Sequence, residues 1–407
     1  MSEWASVRLG DLLHVKHGYA FPGEDFSEVI SGRPIIVTIG NFDYEGGFRF
    51  ESSKLKECTG HVPSDYVLAP GDVLVVMTCQ TQGGEILGVP GRIPADGRTY
   101  LHNQRLGKLI VTKPEALDLG FAYWLMLAPP TKQHLFATAS GSKILHTAPS
   151  RIEDLLFPLP PIAEQRAIAG VLGALDDKIE SNRRAMRDLG DLFMLECESI
   201  VAGSDAFDTK RMAELADLSL GGTPSRANPA FWDNGEIPWI NSGCLHERPV
   251  LTPADCITQL GLERSATKMI PAGATVVAIT GATLGVVSRL GSPFAINQSV
   301  VAIAAADQAL NTYLHYWMRS NIGTLVSSAT GAAQQHVNKS NFEELDVEVP
   351  TDAALAAIGE RRGLLDHEVL LAKENRTLTA LRDALLPELL SGRFRVRDVE
   401  GGLEGVA

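Results

Sequence analysis

The stretch Pro158-Leu159-Pro160-Pro161-Ile162-Ala163-Glu164-Gln165-Arg166 decides the fold, because a globular segment ends there and a long helix begins. Prolines 160 and 161 cannot continue a strand ladder, but proline is tolerated in the first turn of a helix. Beyond them apolar residues recur at spacings of three, four and seven as far as about Val201: Leu172, Leu175, Ile179, Met186, Leu189 and Phe193. The pattern predicts a helix of roughly 60 Å with one narrow apolar stripe. Such a helix packs against a partner helix.

A second helix of the same kind is predicted from Ala353 to about Leu386. Its apolar stripe consists of Leu355, Ile358, Leu365, Val369, Leu378, Leu381 and Leu385. Gly359 and Gly363 interrupt it, each at a cost of about 1 kcal/mol relative to alanine. Either helix alone is equally well explained as the core helix of a separate domain. The rest of the sequence favours one antiparallel pair.

An internal repeat supplies the reason. Residues 135–146 (LFATASGSKILH) match residues 325–336 (LVSSATGAAQQH) without a gap, which aligns His146 with His336. Further pairs follow in the same order along the chain: Arg8 with Arg211, Gly18 with Gly221, Thr78 with Thr280, Asn103-Gln104 with Asn297-Gln298, Trp124 with Trp317, and Pro160 with Pro350. Each half of the chain therefore holds one globular domain followed by one long helix.

The predicted fold class is α+β, with two similar domains of mixed α and β structure in a pseudo-two-fold repeat, joined by two long antiparallel helices that form a coiled-coil-like spacer. The predicted limits are 1–157 for the first domain, 158–205 for the first helical spacer, 206–349 for the second domain, 350–392 for the second helical spacer and 393–407 for a C-terminal tail.

Composition narrows the classes of function. The 407-residue chain has a net charge of −13, which argues mildly against nucleic acid as a partner of the whole surface. No apolar run is long enough to span a membrane, and residues 1–10 lack the pattern of a secretion signal. The five cysteines include no CxxC pair, so neither a structural zinc site nor a disulfide framework is expected. These features predict a cytoplasmic protein without a membrane partner.

No catalytic motif is found. The sequence has no phosphate-cradling loop ending in Gly-Lys-Ser/Thr. The segment 228–231 (NPAF) approaches the Asn-Pro-Pro-aromatic motif of amino-methyltransferases but lacks its second proline. His102, His146 and His336 do not have the spacing of metal ligands. We therefore predict no catalytic residue, no metal and no cofactor, and leave open whether the repeated histidine is structural or touches a ligand.

Over nearly its whole length the sequence resembles the specificity (S) subunits of type I DNA restriction–modification enzymes. The resemblance is carried by the helix start quoted above with 172–179 (LGALDDKI), by 222–225 (GTPS), 231–232 (FW) and 237–239 (IPW), by 281–285 (GATLG) before Asn297-Gln298, and by 389–393 (LLSGR). Each motif is weak alone; in this order, on a two-fold repeat, they are specific.

The resemblance implies a non-catalytic subunit with two target recognition domains, each reading one half of a split, asymmetric site in double-stranded DNA. It also implies that the helices set the spacing between the halves and dock two methyltransferase subunits, and that restriction/translocase subunits join the assembly. The candidate docking residues are Glu164, Gln165, Arg166, Ala169 and Gly170. The Glu164-Gln165 pair has no counterpart in the second helix, so the two helices need not contact partners equivalently.

Base edges in the major groove are read by Arg, Lys, Asn and Gln, with help from Ser and Thr. The candidate DNA-binding residues are Gln80, Thr81, Gln82, Arg105, Ser142 and Lys143 in the first domain, and Arg226, Asn241, Ser242, Thr283, Gln334, Gln335 and Lys339 in the second. A solvated loop position is the alternative for each. The Asn-Gln pairs shared by both halves are expected to hold the fold or touch phosphate rather than discriminate bases.

Two other classes of function compete with DNA reading. One is a repeat scaffold that binds only protein, which fits the acidic charge. The other is a fused restriction–methylation enzyme or a nuclease, which needs a cofactor loop and a catalytic tetrad that the sequence lacks. Neither globular domain is basic, so phosphate neutralisation must be local or supplied by partner subunits.

Overall fold

The computed structural model describes residues 4–48, 54–327 and 337–396. The chain divides into two compact units, one of Met1–Lys178 with Leu378–Ala407 and the other of Ile179–Thr377. Each unit contains a globular part and a segment of each long helix, so the boundary between the units crosses both helices. The finer limits of recognition domains and spacers given above stay a prediction.

The globular part of the first unit is built on two sheets. Its strands are β1 (Ser6–Arg8), β2 (Leu13–His17), β3 (Phe26–Ser27), β4 (Ile35–Val37), β5 (Glu57–Cys58), β6 (Val67–Leu68), β7 (Val73–Val76), β8 (Thr78–Cys79), β9 (Pro90–Arg92), β10 (Tyr100–His102), β11 (Leu106–Val111), β12 (Leu145–His146) and β13 (Leu156–Pro158). Its helices are α1 (Leu119–Leu127), α2 (Pro129–Ala137) and α3 (Pro149–Glu153). One sheet is antiparallel in the order β2-β11-β7-β9, and the other is mixed in the order β3-β5-β4-β10-β6.

Strand β7 shows why the sheets lie face to face. All four of its residues are buried, and they are β-branched or leucine, as a strand covered on both faces requires. Val73 and Val75 belong to the core that contains α1, whereas Leu74 and Val76 belong to the core beneath the mixed sheet. The antiparallel sheet is therefore the middle layer between a helical layer and the mixed sheet.

The first long helix, α4, covers Ile162–Ala202, as the apolar spacing predicted. The second globular part follows it with the strands β14 (Phe207–Arg211), β15 (Asp217–Leu220), β16 (Ile237–Ile240), β17 (Asp255–Ile257), β18 (Lys268–Ile270), β19 (Thr275–Ala278), β20 (Val287–Arg289), β21 (Phe294–Ile296), β22 (Val300–Ala304) and β23 (Asp346–Pro350). Its helices are α5 (Met212–Leu215), α6 (Gln259–Glu263), α7 (Gln308–Ser327) and α8 (Lys339–Glu343), after which come α9 (Asp352–Glu360) and α10 (Arg362–Ser391).

The internal repeat is a repeat of topology. The antiparallel sheet β15-β22-β19-β20 has the order of β2-β11-β7-β9, and β17-β16-β21-β18 has the order of β5-β4-β10-β6. The central pair of the mixed sheet is parallel in both units. Gly18 and Gly221 are matched glycines, because a Cβ on either would overlap the carbonyl oxygen of Asn103 or Ile296, respectively. The predicted two-fold repeat is confirmed.

Within the second unit, α4 runs antiparallel to the helices that follow the globular part. Residues later in α4 contact residues earlier in the segment that contains α9 and α10. The Asn182 amide donates to Asn375 over 2.9 Å, and Arg361 donates to the Glu196 carboxylate over 2.7 Å. Phe193 of α4 shares a core with Leu365. A polar pair such as Asn182 and Asn375 among apolar contacts fixes the register of packed helices.

Within the first unit, the same antiparallel relation joins the N-terminal part of α4 to the C-terminal part of α10. Ile168 and Leu172 lie in one core with Leu389. The Arg382 guanidinium donates to the Asp176 carboxylate over 2.9 Å. No helix in the described part of the chain is long and apolar enough to cross a membrane.

The second long helix differs from the single helix predicted, because a turn at Arg361 separates α9 from α10. Gly359 lies in the last turn of α9, where a Cβ would come within 2.8 Å of the Ala309 Cβ on α7. The glycine that weakens the helix therefore allows α9 to approach α7 closely.

Glu368 on α10 faces Gly190 of α4, where a Cβ would meet the Glu368 carboxylate at 2.7 Å. Burial raises the pKa of Glu368 to about 7, against the opposing charges of Arg319, Arg289 and Arg248 and with a smaller contribution from Asp191. Glu368 lines a cavity of about 230 Å³ together with His315 and Arg187. An unfolded chain releases this proton near the ordinary value of 4.5, so the folded state holds a proton that the unfolded state has lost between pH 4.5 and 7.

We expect stability to fall as the pH rises through that window, by on the order of 2 kcal/mol from this group. Glu368→Gln should remove this loss, raising the melting temperature at pH 8 and flattening its pH dependence. Glu360→Gln, at the exposed end of α9, is the matched control. A Glu368→Gln protein with the slope of the parent between pH 5 and 7 would show that Glu368 is ionised throughout.

Candidate nucleic-acid interface

Both units place loops together at one edge of the mixed sheet. The carboxyl ends of neighbouring parallel strands meet at the same edge, where open sheets commonly bind ligands. In the first unit Val37 is paired with His102, so the chain leaves β4 and β10 side by side at Thr38 and Asn103. In the second unit Ile240 is paired with Ile296, which brings Asn241 beside Asn297. We call these places the first and second reading edges.

A cleft of about 720 Å³ lies at the first reading edge. It combines aromatic, amide and cationic side chains, the types that contact nucleic acid. Among its lining residues are Phe42, Tyr44, Lys54, Lys56, Gln80, Gln104 and Arg105. Two predicted DNA-binding residues, Gln80 and Arg105, therefore lie on one cleft although they come from different loops.

Sequence reasoning missed Tyr44, Lys54 and Lys56. They follow β4 in the chain, and only the parallel pairing of β4 with β10 brings them beside Gln104. That pairing joins strands that are far apart in sequence, so no local sequence motif predicts it. Lys56 is ion-paired with Glu28.

The two Asn-Gln pairs have a common geometry. The Asn103 side-chain oxygen accepts the Arg105 N–H over 3.0 Å, and the Asn297 oxygen accepts the Ser299 N–H over 2.9 Å. Both asparagines are only 7% exposed, whereas the glutamines that follow them are exposed. The asparagines thus hold the turn, as one of the two predicted roles requires.

The remaining candidates of the first unit lie near the cleft at the end of the β8–β12 pair. Leu145 is paired with Cys79, so the exposed Ser142 and Lys143 are on the loop that faces the segment 80–82. Gln82 is exposed, and the Thr81 hydroxyl donates to Glu85. These four positions form a second exposed loop pair beside the cleft.

Three candidates of the second unit lie at or near the second reading edge. Asn241 caps a short 3-10 helix by accepting the Gly243 N–H over 2.9 Å, and Ser242 is the first residue of that helix. Thr283 lies on the loop after β19 and donates to the Thr280 carbonyl over 3.2 Å. Gln298 follows Asn297 at this edge, and its side-chain oxygen accepts a hydrogen bond from the Thr223 hydroxyl over 2.6 Å.

Two other candidates have partners within the protein. The Arg226 guanidinium stacks 3.3 Å from the centre of the Trp232 ring and is 2.6 Å from the Asp255 carboxylate. This arrangement makes Arg226 part of a fixed cation–aromatic platform. Lys339 pairs with Glu343 over 2.8 Å on α8. Gln334 and Gln335 lie outside the described residues, as do Gly331 and His336 of the repeat.

The docking prediction needs one correction. Gln165 is completely buried, so it cannot contact a partner subunit. Its side-chain oxygen accepts the Asp118 N–H over 2.9 Å, and its amide donates to the carbonyls of Ala116 and Pro160 over 2.8 Å each. Gln165 therefore fastens the start of α4 to the loop before α1.

The other four docking candidates occupy different positions on α4. Arg166 and Gly170 are exposed, and a Cβ built on Gly170 would meet no atom within 4 Å beyond its chain neighbours and the backbone of its own helix. Glu164 is half-buried near the Val396 N–H, and Ala169 packs against the core that contains α1. Only Arg166 and Gly170 of the five therefore present an open surface.

Two histidines near the first reading edge, His102 and His146, lie within hydrogen-bonding distance of partners in the protein. Burial lowers the pKa of His102 to about 4, and its ring nitrogen lies 2.9 Å from the Leu106 carbonyl oxygen. His146 lies 3.1 Å from the Thr78 hydroxyl. Among residues 4–48, 54–327 and 337–396, no group of His, Cys, Asp and Glu side chains is arranged to hold a metal ion.

Several known proteins are similar to this chain in sequence. The sequence model of the type I restriction modification DNA specificity domain matches residues 1–187 and 205–360. The specificity subunit of the type I restriction enzyme HindI from Haemophilus influenzae is 27% identical over 194 residues, which are 46% of this chain and 42% of that protein. The specificity subunit of MjaIX from Methanocaldococcus jannaschii is 21% identical over 304 residues, 69% of this chain and 70% of that protein.

A solved structure agrees in fold. The type I restriction–modification S subunit from M. genitalium superimposes with a TM-score of 0.62 at 15% identity, covering 95% of this chain and 96% of that one. The match to the first relative, by contrast, spans less than half of that protein's length. The two matches to the family model cover most of the chain, one in each half. The chain therefore belongs to the type I restriction modification DNA specificity family.

Proposed function

We propose that this chain is the DNA-specificity subunit of a type I restriction–modification complex and that each reading edge recognises one half of a bipartite DNA site. The observation that carries the proposal is the repetition of one backbone edge with different side chains on it. Thr38 and Arg105 at the first edge correspond to Asn241 and Ser299 at the second.

This difference supports an asymmetric target. Two identical readers would recognise the same short sequence twice, whereas readers with different hydrogen-bonding side chains recognise different bases. A two-fold repeated protein matches a target with two half-sites, because the spacing of the half-sites mirrors the spacing of the readers. The long helices would then set the number of base pairs between the halves.

The subunit itself would be non-catalytic and cytoplasmic. Its partners would be double-stranded DNA, two methyltransferase subunits and restriction/translocase subunits. Arg166 and Gly170 provide the open part of the docking surface on α4, with Glu164 and Ala169 beside them.

The charge predicts how DNA binding depends on the partner. A chain of net charge −13 neutralises few phosphates, so we expect it to bind duplex DNA weakly by itself. With a methyltransferase subunit from the same genome, the complex should bind and methylate one split, asymmetric motif. Duplex binding is measured at fixed salt for the chain and for the complex, and modified bases are then mapped across host DNA.

Two results would contradict the proposal. Tight sequence-specific binding by the isolated chain would refute the assigned role of the partner in supplying positive charge. A stable complex that methylates without a motif, or not at all, would favour the alternative of a scaffold that binds only protein.

A further inference from the structure

Position 105 in the first unit and position 299 in the second are the same place in the repeated fold. The Arg105 carbonyl accepts the Met77 N–H over 2.9 Å, and the Ser299 carbonyl accepts the Ile279 N–H over 3.0 Å. The N–H of each residue is held by the asparagine two positions before it. The backbone is thus fixed on both sides in both units, while the side chain changes from arginine to serine.

The Arg105 side chain is exposed on the 720 Å³ cleft of the first reading edge. Its guanidinium makes no hydrogen bond, ion pair or ring contact with any residue in the described ranges, unlike Arg226 in the second unit. Lys56, on the same cleft, is paired with Glu28. Arg105 is therefore a cation that a rigid backbone presents to an open cleft with its donors available.

The chemistry of arginine selects one base. A guanidinium places two parallel N–H donors where the O6 and N7 acceptors of guanine lie in the major groove, and this is the commonest specific contact to DNA. A phosphate contact is the other use of arginine, and it carries no sequence information. The neighbouring amide of Gln80 favours the first use, because glutamine reads base edges and Gln80 lines the same cleft as Arg105.

We propose that Arg105 is a specificity-determining residue that reads a guanine in the half-site bound by the first reading edge. Ser299 leaves the corresponding base pair of the other half-site without such a contact. This inference rests on the proposed DNA-specificity function and names the residue and the base on which one half of that specificity depends.

The test uses the complex with its methyltransferase subunit after the methylated motif of the parent has been mapped. Duplexes with each base pair of the first half-site replaced in turn compete for the parent complex and for Arg105→Ser. Serine is compatible with this backbone, because the second unit carries it at the same place. Arg98→Ser is the matched control, because Arg98 is an exposed arginine before β10 that does not line the cleft.

The parent should discriminate against replacement of one G·C pair by roughly 5- to 150-fold. Arg105→Ser should lose that preference at that pair alone, keep every preference in the second half-site, and leave the salt dependence almost unchanged. Arg98→Ser should behave as the parent does.

Three results overturn the inference while leaving the DNA-specificity function intact. The first is a first half-site without a G·C pair, and the second is an Arg105→Ser complex with unchanged base preferences. The third is a uniform loss of affinity for all duplexes with a salt slope reduced by about one, which identifies a phosphate contact. A parent complex without any motif overturns the function itself and the inference with it.

Discussion

Gln165→Ala is expected to lower the free energy of unfolding by about 3 kcal/mol, although the residue lies on the helix proposed to dock partners. The amide is completely buried and satisfies three backbone groups, the Asp118 N–H and the carbonyls of Ala116 and Pro160. Alanine leaves all three without their partner and opens a cavity, and each effect costs on the order of 1 kcal/mol or more. Chemical denaturation of the purified chain measures the loss.

Two further variants distinguish the loss of the hydrogen bonds from the loss of side-chain volume and from any effect at the helix surface. Gln165→Leu keeps most of the volume and loses the hydrogen bonds, so it should remain destabilised. Arg166→Ala changes the neighbouring exposed residue and should alter stability by less than about 0.5 kcal/mol. A Gln165→Ala protein of parental stability that fails to bind the methyltransferase subunit would restore the docking role first predicted for this residue.

Arg382→Ala should lower the free energy of unfolding by about 2–3 kcal/mol, because Arg382 is only 5% exposed and pairs with three carboxylates. Its guanidinium lies 2.9 Å from Asp176 on α4, 3.0 Å from Asp383 and 3.8 Å from Glu45. Burial opposes the charge, but Asp383 and Asp176 outweigh it and keep the pKa of Arg382 above its ordinary value. Removing the arginine abolishes these pairs and the packing of its long side chain.

The matched control is Arg184→Ala, which removes an exposed arginine that pairs with Glu180 on α4 over 3.3 Å. Exposed pairs of this kind contribute about 0.5 kcal/mol or less. Urea denaturation of both variants beside the parent gives the comparison. Equal losses for Arg382→Ala and Arg184→Ala would mean that the Arg382 cluster contributes no more than a surface pair.

Regular elements with strong local patterns were predictable from sequence. The first long helix, α4, begins directly after Pro160 and Pro161, where its start was predicted. The two-fold repeat was also visible, because matched glycines and asparagines perform the same backbone task in both halves.

Features that depend on long-range packing were not predictable. The break at Arg361 arises beside the contact of Gly359 with α7, which the apolar stripe does not report. Gln165 looked like a surface residue because glutamine is usually exposed, and two of its three backbone partners, Asp118 and Ala116, are distant from it in sequence. The cleft around Arg105 required the pairing of β4 with β10, so only part of its lining was predicted.

The most direct test of the two-reader organisation exchanges one globular segment for that of a relative. Residues 206–349 are replaced by the corresponding segment of another specificity subunit, and the hybrid is co-expressed with the methyltransferase subunit. Modified bases are then mapped across the host DNA, with the reciprocal exchange of residues 1–157 as the control. We expect each exchange to change one half of the methylated motif and leave the other half and the spacing as they were. A hybrid that forms a stable complex but changes both halves together, or neither, would contradict independent reading by the two segments.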